Sequence, residues 1–525
     1  MHGYIALVLH AHLPWVRHPE SPRFLEENWL FEAITECYLP LLEKIEGWST
    51  LEGAWGINLT LTPTLCAMLQ DSLLKERYDK HLNLLLELAE RETFRTYWDK
   101  QLKPVAEMYL TRLRQLKDLW LKLDRDLVAA FARWQNAGCI EILGCAATHA
   151  LLPLLEDFAD SLHAQIETAC VDYERCFGKR PTAFWLPECA YSPRIEPALA
   201  RAGIRWFVTE SHGLLHARPQ PRYGTLAPVL TPKGLVAFAR DNDSARQVWS
   251  REAGYPGDAA YRDFYRDIAF ELDYDYLARY LPAAPQRTFT GFKYHAIGNR
   301  AGEAPAYDRP MALRKAAEHA AHFLEARRQH LGRAAEIMEC QPIIMVPYDA
   351  ELFGHWWYEG PEFLDYFVRK TVCEQDFVRL TTVSDYLGQH SRHQVAEPCT
   401  SSWGEEGFWK VWLNETNEWI YPHLRASQER MSELARQFTD PDPLQERALN
   451  QAGRELLLAQ SSDWPFIMRA GTSPEYAKKR LTEHLLRFHS LHEQLTTTQV
   501  DELWLNQVED LDCIFPKIDY RAWRG

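Results

Sequence analysis

Two acidic residues stand at the end of short apolar runs: Glu188 closes "AFWLPE" and Asp349 closes "IIMVPYD". A carboxylic acid kept neutral by apolar surroundings can give a proton to a departing oxygen. A second, ionised carboxylate can then attack carbon or activate water, which is the chemistry of glycosidic-bond cleavage. Asp349 lies beside Tyr348 and two residues after Pro347, surroundings that favour its neutral form. A lone acid after a strand is more often a helix cap or an ion-pair partner. Two such acids with flanking aromatic residues bring the chemical reading level with the structural one.

His10 and His12 alternate in "LVLHAHLPW" and so share one side of an extended strand. Such a pair grips sugar hydroxyls or binds a metal. With His149 and Asp349 it forms a candidate metal set, and Glu351 and His355 stand four apart, a helical ligand spacing. A metal-dependent hydrolase such as a polysaccharide deacetylase is therefore a rival class, although there is no HExxH and no pair of acids after the first run. Buried, hydrogen-bonded histidines are the plainer alternative. Trp409 and Trp412 are three apart, the spacing of a shared helix face packed in a core. Trp403, between Ser402 and Gly404, reads as a loop residue available as a platform. A non-catalytic glucan-binding protein would keep these aromatics and need neither acid.

Five segments position these residues, each a short apolar run that turns abruptly polar: 4–15, 140–154, 182–193, 204–215 and 343–356. Helical patterns lie between most of them, as in "LLLELAERETFRTYWDKQLKPVAEMYLTRLRQLKDLWLKLDRDLVAAFARWQ". Strands alternating with helices predict a parallel sheet buried on both faces, with its ligand site at the carboxyl ends of the strands. Residues 216–262, rich in Pro, Gly, aromatics and Arg, read as a long ordered loop over a barrel mouth. From about 401 the pattern becomes helical, notably over 415–437, 446–462 and 475–495.

The chain has 525 residues, too many for one ordinary core. Its 46% hydrophobic and 25% charged shares are those of a globular protein. The net charge of −15 argues against nucleic acid, whose phosphates need a basic surface. Nineteen tryptophans hint at flat apolar faces for sugars. Eleven cysteines without CxxC pairs point to reduced thiols. The first run is too short and wrongly flanked for a signal peptide, and no stretch is long enough to span a membrane. A cytoplasmic location is the expectation.

"HAHLPW", "CAATHALLPL", "FWLPECAY", "PYDAELFGHWW" and "SSWGEEGFWKVWLNE" resemble, in order, the five signature regions of glycoside hydrolase family 57. The tail "ALNQAGRELLLAQSSDWPFIM…IFPKIDYR" is similar to that of its 1,4-α-glucan branching subgroup. The resemblance covers essentially the whole chain. It implies an α/β fold, an incomplete (β/α)7 barrel with an inserted helical and loop region over 1–400 and an all-helical C-terminal domain over 401–525. It implies Glu188 as nucleophile and Asp349 as acid/base of a retaining double displacement, their carboxyls about 5–5.5 Å apart. His10, His12 and His149 would hold the reacting sugar, and Trp403, Trp412, Phe270, Tyr223 and Trp357 would line subsites. The implied partner is an α-1,4-glucan, with no cofactor or metal and a monomer or weak homo-oligomer as the acting form. The subgroup carries a loop reading like Tyr-Gly-Val-Tyr-Ala-Pro over the site, where this chain has "YGTLAP", residues 223–228. Leu226 in the second tyrosine's place leads to the expectation of a larger share of hydrolysis.

Overall fold

The computed structural model describes residues 2–250, 252–281, 286–298, 304–497 and 499–524. Among the described residues, seven parallel strands curl into an open barrel: β1 (Gly3–Ala11), β2 (Ile57–Leu61), β3 (Ile140–Cys145), β4 (Ala183–Trp185), β5 (Trp206–Thr209), β7 (Val236–Ala239) and β8 (Ile343–Asp349). Their order is β8-β1-β2-β3-β4-β5-β7. β7 and β8 touch only through a bridge at Arg240 and Met345, with Asp241 N bonding Met345 O at 2.9 Å. That single contact leaves the barrel incomplete. Two short strands, β6 (Val229–Leu230) and β10 (Gln394–Val395), extend the sheet beyond β7, and β9 (Val378–Leu380) pairs with the start of β1.

All nine residues of β1 are buried, as expected of a parallel strand covered on both faces. The covering helices include Ala159–Phe177, Arg309–Ile337 and Gly360–Cys373. Between β2 and β3 the chain inserts helices Ser72–Arg95, Lys103–Lys122 and Leu127–Asn136. Asp71 caps the first by accepting from Leu74 N at 2.9 Å. Helices Ile420–Gln437, Pro443–Ala459, Asp463–Ala470, Pro474–Thr497 and Glu502–Leu511 follow the barrel. They are pinned to it by buried polar bonds: Ser462 N to His149 O (3.2 Å) and Trp15 Nε1 to Asp512 Oδ1 (2.9 Å).

The structure corrects the reading of 216–262 as one irregular loop. That stretch contains β6, the barrel strand β7 and the helix Asn242–Trp249. It also moves "YGTLAP". Leu226 O accepts from Ile343 N at 2.9 Å, and Tyr223 Oη accepts from Glu339 N at 3.2 Å. Ile343 begins β8 opposite Tyr4, whereas Asp349 ends it opposite His10. Six residues of strand at about 3.3 Å each put roughly 20 Å between the two ends. Tyr223 and Leu226 therefore sit at the amino end of the barrel, where they can neither line a subsite at Asp349 nor shield an intermediate there.

Candidate active site

Glu188 follows β4 on a tight turn and adopts a left-handed backbone, φ +63°, as does His149 after β3, φ +55°. For non-glycine residues this stores about 1–3 kcal/mol each, held in place by the surroundings. The Glu188 side chain is gripped twice. Its Oε2 accepts from Trp403 Nε1 at 2.7 Å and its Oε1 from Ser462 Oγ at 3.2 Å. Trp403 N also bonds the Glu188 carbonyl at 3.0 Å. Burial pushes the Glu188 carboxyl up to about 7; the indole bond opposes this and the charge of Asp349 adds to it.

Asp349 ends β8, and burial pushes its carboxyl further, to about 8, aided by the neighbouring charge of Glu351 and opposed by His12 and Arg240. Glu351 is anchored by Tyr38 Oη at 2.5 Å and by His12 N at 3.3 Å. Tyr38 comes from a π-helical turn, Ile34–Tyr38, the kind of helix irregularity that often marks functional sites. Arg240 pairs with Glu210 at 2.8 Å, and its guanidinium lies 5.7 Å from the Trp403 ring centroid. Burial raises both carboxyls, so a pair like this can hold one protonated acid beside an ionised one, as glycosidic-bond cleavage needs.

The histidines form a stack. Trp185 lies on His10 at 4.7 Å between centroids, and His149 on His12 at 3.9 Å. His10 Nε2 and His149 Nε2 are 3.0 Å apart, and burial lowers both rings well below the usual imidazole range, keeping them neutral. His12 Nδ1 meets Thr62 Oγ1 at 3.0 Å, and its Nε2 meets both oxygens of Asp463, at 3.0 and 3.1 Å. His149 Nδ1 bonds Ser462 Oγ at 2.9 Å. His12, His149 and Asp463 offer ligand atoms within 4.8 Å of one another, but all four ring nitrogens are already engaged by protein groups. Of the set read from the sequence, His12 and His149 fall in that group, while Glu351 is bonded by Tyr38 Oη and His355 Nδ1 bonds Glu36 at 2.6 Å.

Trp403 is half-buried, edge-on to Trp185 (5.3 Å) and to Trp249 (6.2 Å), and so stands as a platform beside Glu188. Trp412 is 1% exposed, and the segment carrying it is a series of turns rather than a helix. Gly404 is required beneath it, since a Cβ there would meet Trp412 Cζ3 at 2.5 Å. Trp357 is a correction: it is 1% exposed, packed among Tyr261, Phe353 and Phe363, and presents no face to a sugar. Phe270 is half exposed and stands edge-on to Phe289, on an aromatic ladder continuing through Phe264 to Trp356. Sequence reasoning missed Ser462, Asp463, Arg240, Tyr38 and Trp249. "QSSDWPF" did carry a signal, a polar cluster between two helical runs. Nothing along the chain tied it to a residue 274 positions earlier.

Buried, unequally perturbed carboxylates at the carboxyl ends of β4 and β8, flanked by histidines and an indole, define a glycoside-bond-cleaving barrel enzyme. The chain belongs to glycosyl hydrolase family 57, whose family model matches residues 6–398. A second model, 1,4-alpha-glucan branching enzyme, C-terminal, matches residues 423–523. The chain is 32% identical to the 1,4-alpha-glucan branching enzyme TK1436 of Thermococcus kodakarensis, over 98% of this chain and 77% of that one. It is 30% identical to the probable 1,4-alpha-glucan branching enzyme Rv3031 of Mycobacterium tuberculosis, over 92% and 90%. Among solved structures, the alpha-amylase AmyC of Thermotoga maritima superposes with a TM-score of 0.94 at 40% identity, covering 100% and 99% of the two chains. The crystal structure of TK1436 superposes with a TM-score of 0.90 at 31% identity, covering 100% and 97%. Among the described residues no helix is long and apolar enough to cross a membrane.

Proposed function

We propose that the protein is a 1,4-α-glucan branching enzyme working by retaining double displacement. Glu188 attacks the anomeric carbon of an α-1,4-linked glucan while Asp349 protonates the departing chain. Asp349, now ionised, takes the proton from a 6-hydroxyl of another glucose, which opens the glucosyl ester to form an α-1,6 branch. His10, His12 and His149 hold the sugar at the cleavage point and Trp403 lines the cleft. The observation that carries the reading is the pair of buried acids at the carboxyl ends of β4 and β8, Glu188 held by Trp403 and Ser462, in a chain with both the family 57 and the branching-enzyme C-terminal regions. Those two regions also support a catalytic unit over 1–400 and a helical one over 401–525. The reading includes a cytoplasmic protein with free thiols, acting as a monomer or weak homo-oligomer.

The 40% identity to AmyC favours a second reading, in which water opens the same ester and the product is a shortened chain. Amylose incubation separates the two. Branching predicts new α-1,6 linkages with few new reducing ends. Reducing ends without α-1,6 linkages would replace the proposal with hydrolysis, and the absence of both products would overturn the enzyme assignment.

A further inference from the structure

The helix Pro63–Gln70 follows β2 directly, and its first turn is bound into the site. Thr62, the residue before it, meets His12 Nδ1 through Oγ1 at 3.0 Å, and Thr64 Oγ1 donates to Leu13 O at 2.9 Å. Cys66 comes one turn later, its N bonding Thr62 O at 2.9 Å. The helix Ala159–Phe177 supports the other half of the histidine stack. Its Gln165 accepts from Ala147 N at the backbone (3.0 Å) and from Thr148 N at Oε1 (3.2 Å), which fixes the turn that presents His149. Cys176 lies near the end of that helix.

The two helices meet thiol to thiol. Cys66 and Gln70 stand four apart and so share one face of their helix, and Cys176 Sγ lies 3.8 Å from Gln70 Oε1. A hydrogen bond with the Cys176 thiol, together with burial, pushes the Cys66 thiol well above its usual range. Arg175 ties the same corner. Its Nη1 donates to Gln70 Oε1 at 2.7 Å and its Nε to Asp172 Oδ1 at 2.8 Å, while Asp172 Oδ2 lies 3.9 Å from Cys176 Sγ. Cys66 is 1% exposed, whereas Cys176 is half-buried and within reach of a small oxidant. A reachable thiol in contact with a buried one is the arrangement of a redox-sensing cysteine and its resolving partner.

We propose that Cys66 and Cys176 close into a reversible disulfide that slows the enzyme, with a small disulfide such as oxidised glutathione as the oxidant. The Cys176 sulfur, as thiolate, attacks one glutathione sulfur and expels the other as a thiolate. The Cys66 sulfur, giving up its proton, then displaces the remaining glutathione from the mixed disulfide. Two protein thiols become one disulfide, and one glutathione disulfide becomes two thiols. An S–S bond of about 2 Å is shorter than any hydrogen bond between thiols, so closing it draws the two helices together. The pull reaches Thr62, one turn from Cys66, and disturbs the seat of His12 on His149. A misplacement of about 1 Å in such a site lowers the rate by on the order of a hundredfold. The bond is independent of the glucan reading above; its effect on rate rests on that reading.

The full chain is incubated with excess oxidised glutathione, the remaining thiols are alkylated, and the peptides are mapped by mass, with amylose turnover measured before and after. Expected are a linked Cys66–Cys176 peptide, a fall in kcat of about tenfold or more, and reversal of both by dithiothreitol. Cys176→Ser keeps the reduced activity and loses both the link and the fall, whereas Cys66→Ser collects glutathione on Cys176. No linked peptide, a linked peptide at unchanged kcat, or a fall that persists in Cys176→Ser overturns the proposal. If the reduced wild-type chain makes no product from any glucan, the functional reading falls and the disulfide stands or falls on the mass alone.

Discussion

Trp403→Phe isolates one bond at the nucleophile. The indole N–H lies 2.7 Å from Glu188 Oε2, in a place where burial already pushes that carboxyl up to about 7. A hydrogen bond to a charged group contributes about 1.5–3 kcal/mol, and one pKa unit is about 1.4 kcal/mol. The bond favours the ionised form, so its loss moves the Glu188 pKa upward by about one to two units. A nucleophile must be ionised, so the acid limb of kcat/KM should move to higher pH by the same amount. Below both pKa values the rate then falls by roughly ten- to a hundredfold relative to wild type, while above them the gap closes. Phenylalanine also loses contacts with Trp185 and Trp249, which adds a loss independent of pH. A maltosyl fluoride substrate, whose leaving group needs no proton, removes the contribution of Asp349 and leaves the Glu188 limb exposed. A variant with the wild-type acid limb, or one slowed by the same factor at every pH, would refute the reasoning.

Glu188→Gln should abolish glucan turnover while the circular dichroism spectrum and the melting temperature stay close to wild type; residual activity near wild type on amylose would end the double-displacement account. Glu351→Gln removes a negative charge that holds the Asp349 carboxyl high, so Asp349 should ionise at lower pH and the alkaline limb of the pH–rate profile should move downward. An unmoved alkaline limb would show that burial alone sets Asp349. Leu226→Tyr should leave the ratio of α-1,6 linkages to reducing ends unchanged, because that side chain lies at the opposite end of β8, roughly 20 Å from Asp349. A shift toward branching would show that the amino end of the barrel reaches the chemistry.

Most of the five runs that showed themselves in the sequence are strands with apolar interiors, such as "YIALVL" and "IIMV"; β3, "IEILGC", carries Glu141 within an otherwise apolar run. The two barrel strands that escaped are of another kind. β2 reads "INLTL", and its Asn58 is buried yet satisfied: Nδ2 donates to Leu7 O at 3.0 Å while Oδ1 accepts from Val383 N at 2.9 Å. A side chain that ties three segments together breaks the apolar run by which a buried strand is recognised. β7 is only "VAFA", set in a stretch whose Pro and Gly content reads as loop. "YGTLAP" failed for a different reason: a six-residue likeness carries no information about which end of a strand it packs against.

The carboxylates were legible because each sits next to its own strand, but their control was not, because it comes from far along the chain. Both donors to the Glu188 carboxyl, Trp403 and Ser462, belong to residues beyond 400, and so does Asp463, which fixes His12. The Glu188 carbonyl is likewise met by Trp403 N, and Ser462 N closes on His149 O. The barrel thus supplies the reacting groups, while the segment that follows it supplies the bonds that stabilise the nucleophile's charge and orient the histidines. The left-handed turns at His149 and Glu188 fit this division. Each would relax in isolation, and each is held by a partner from the C-terminal side. A chain built this way cannot exchange its C-terminal helices freely, since Ser462, at the start of one of them, holds a carboxyl 274 positions away.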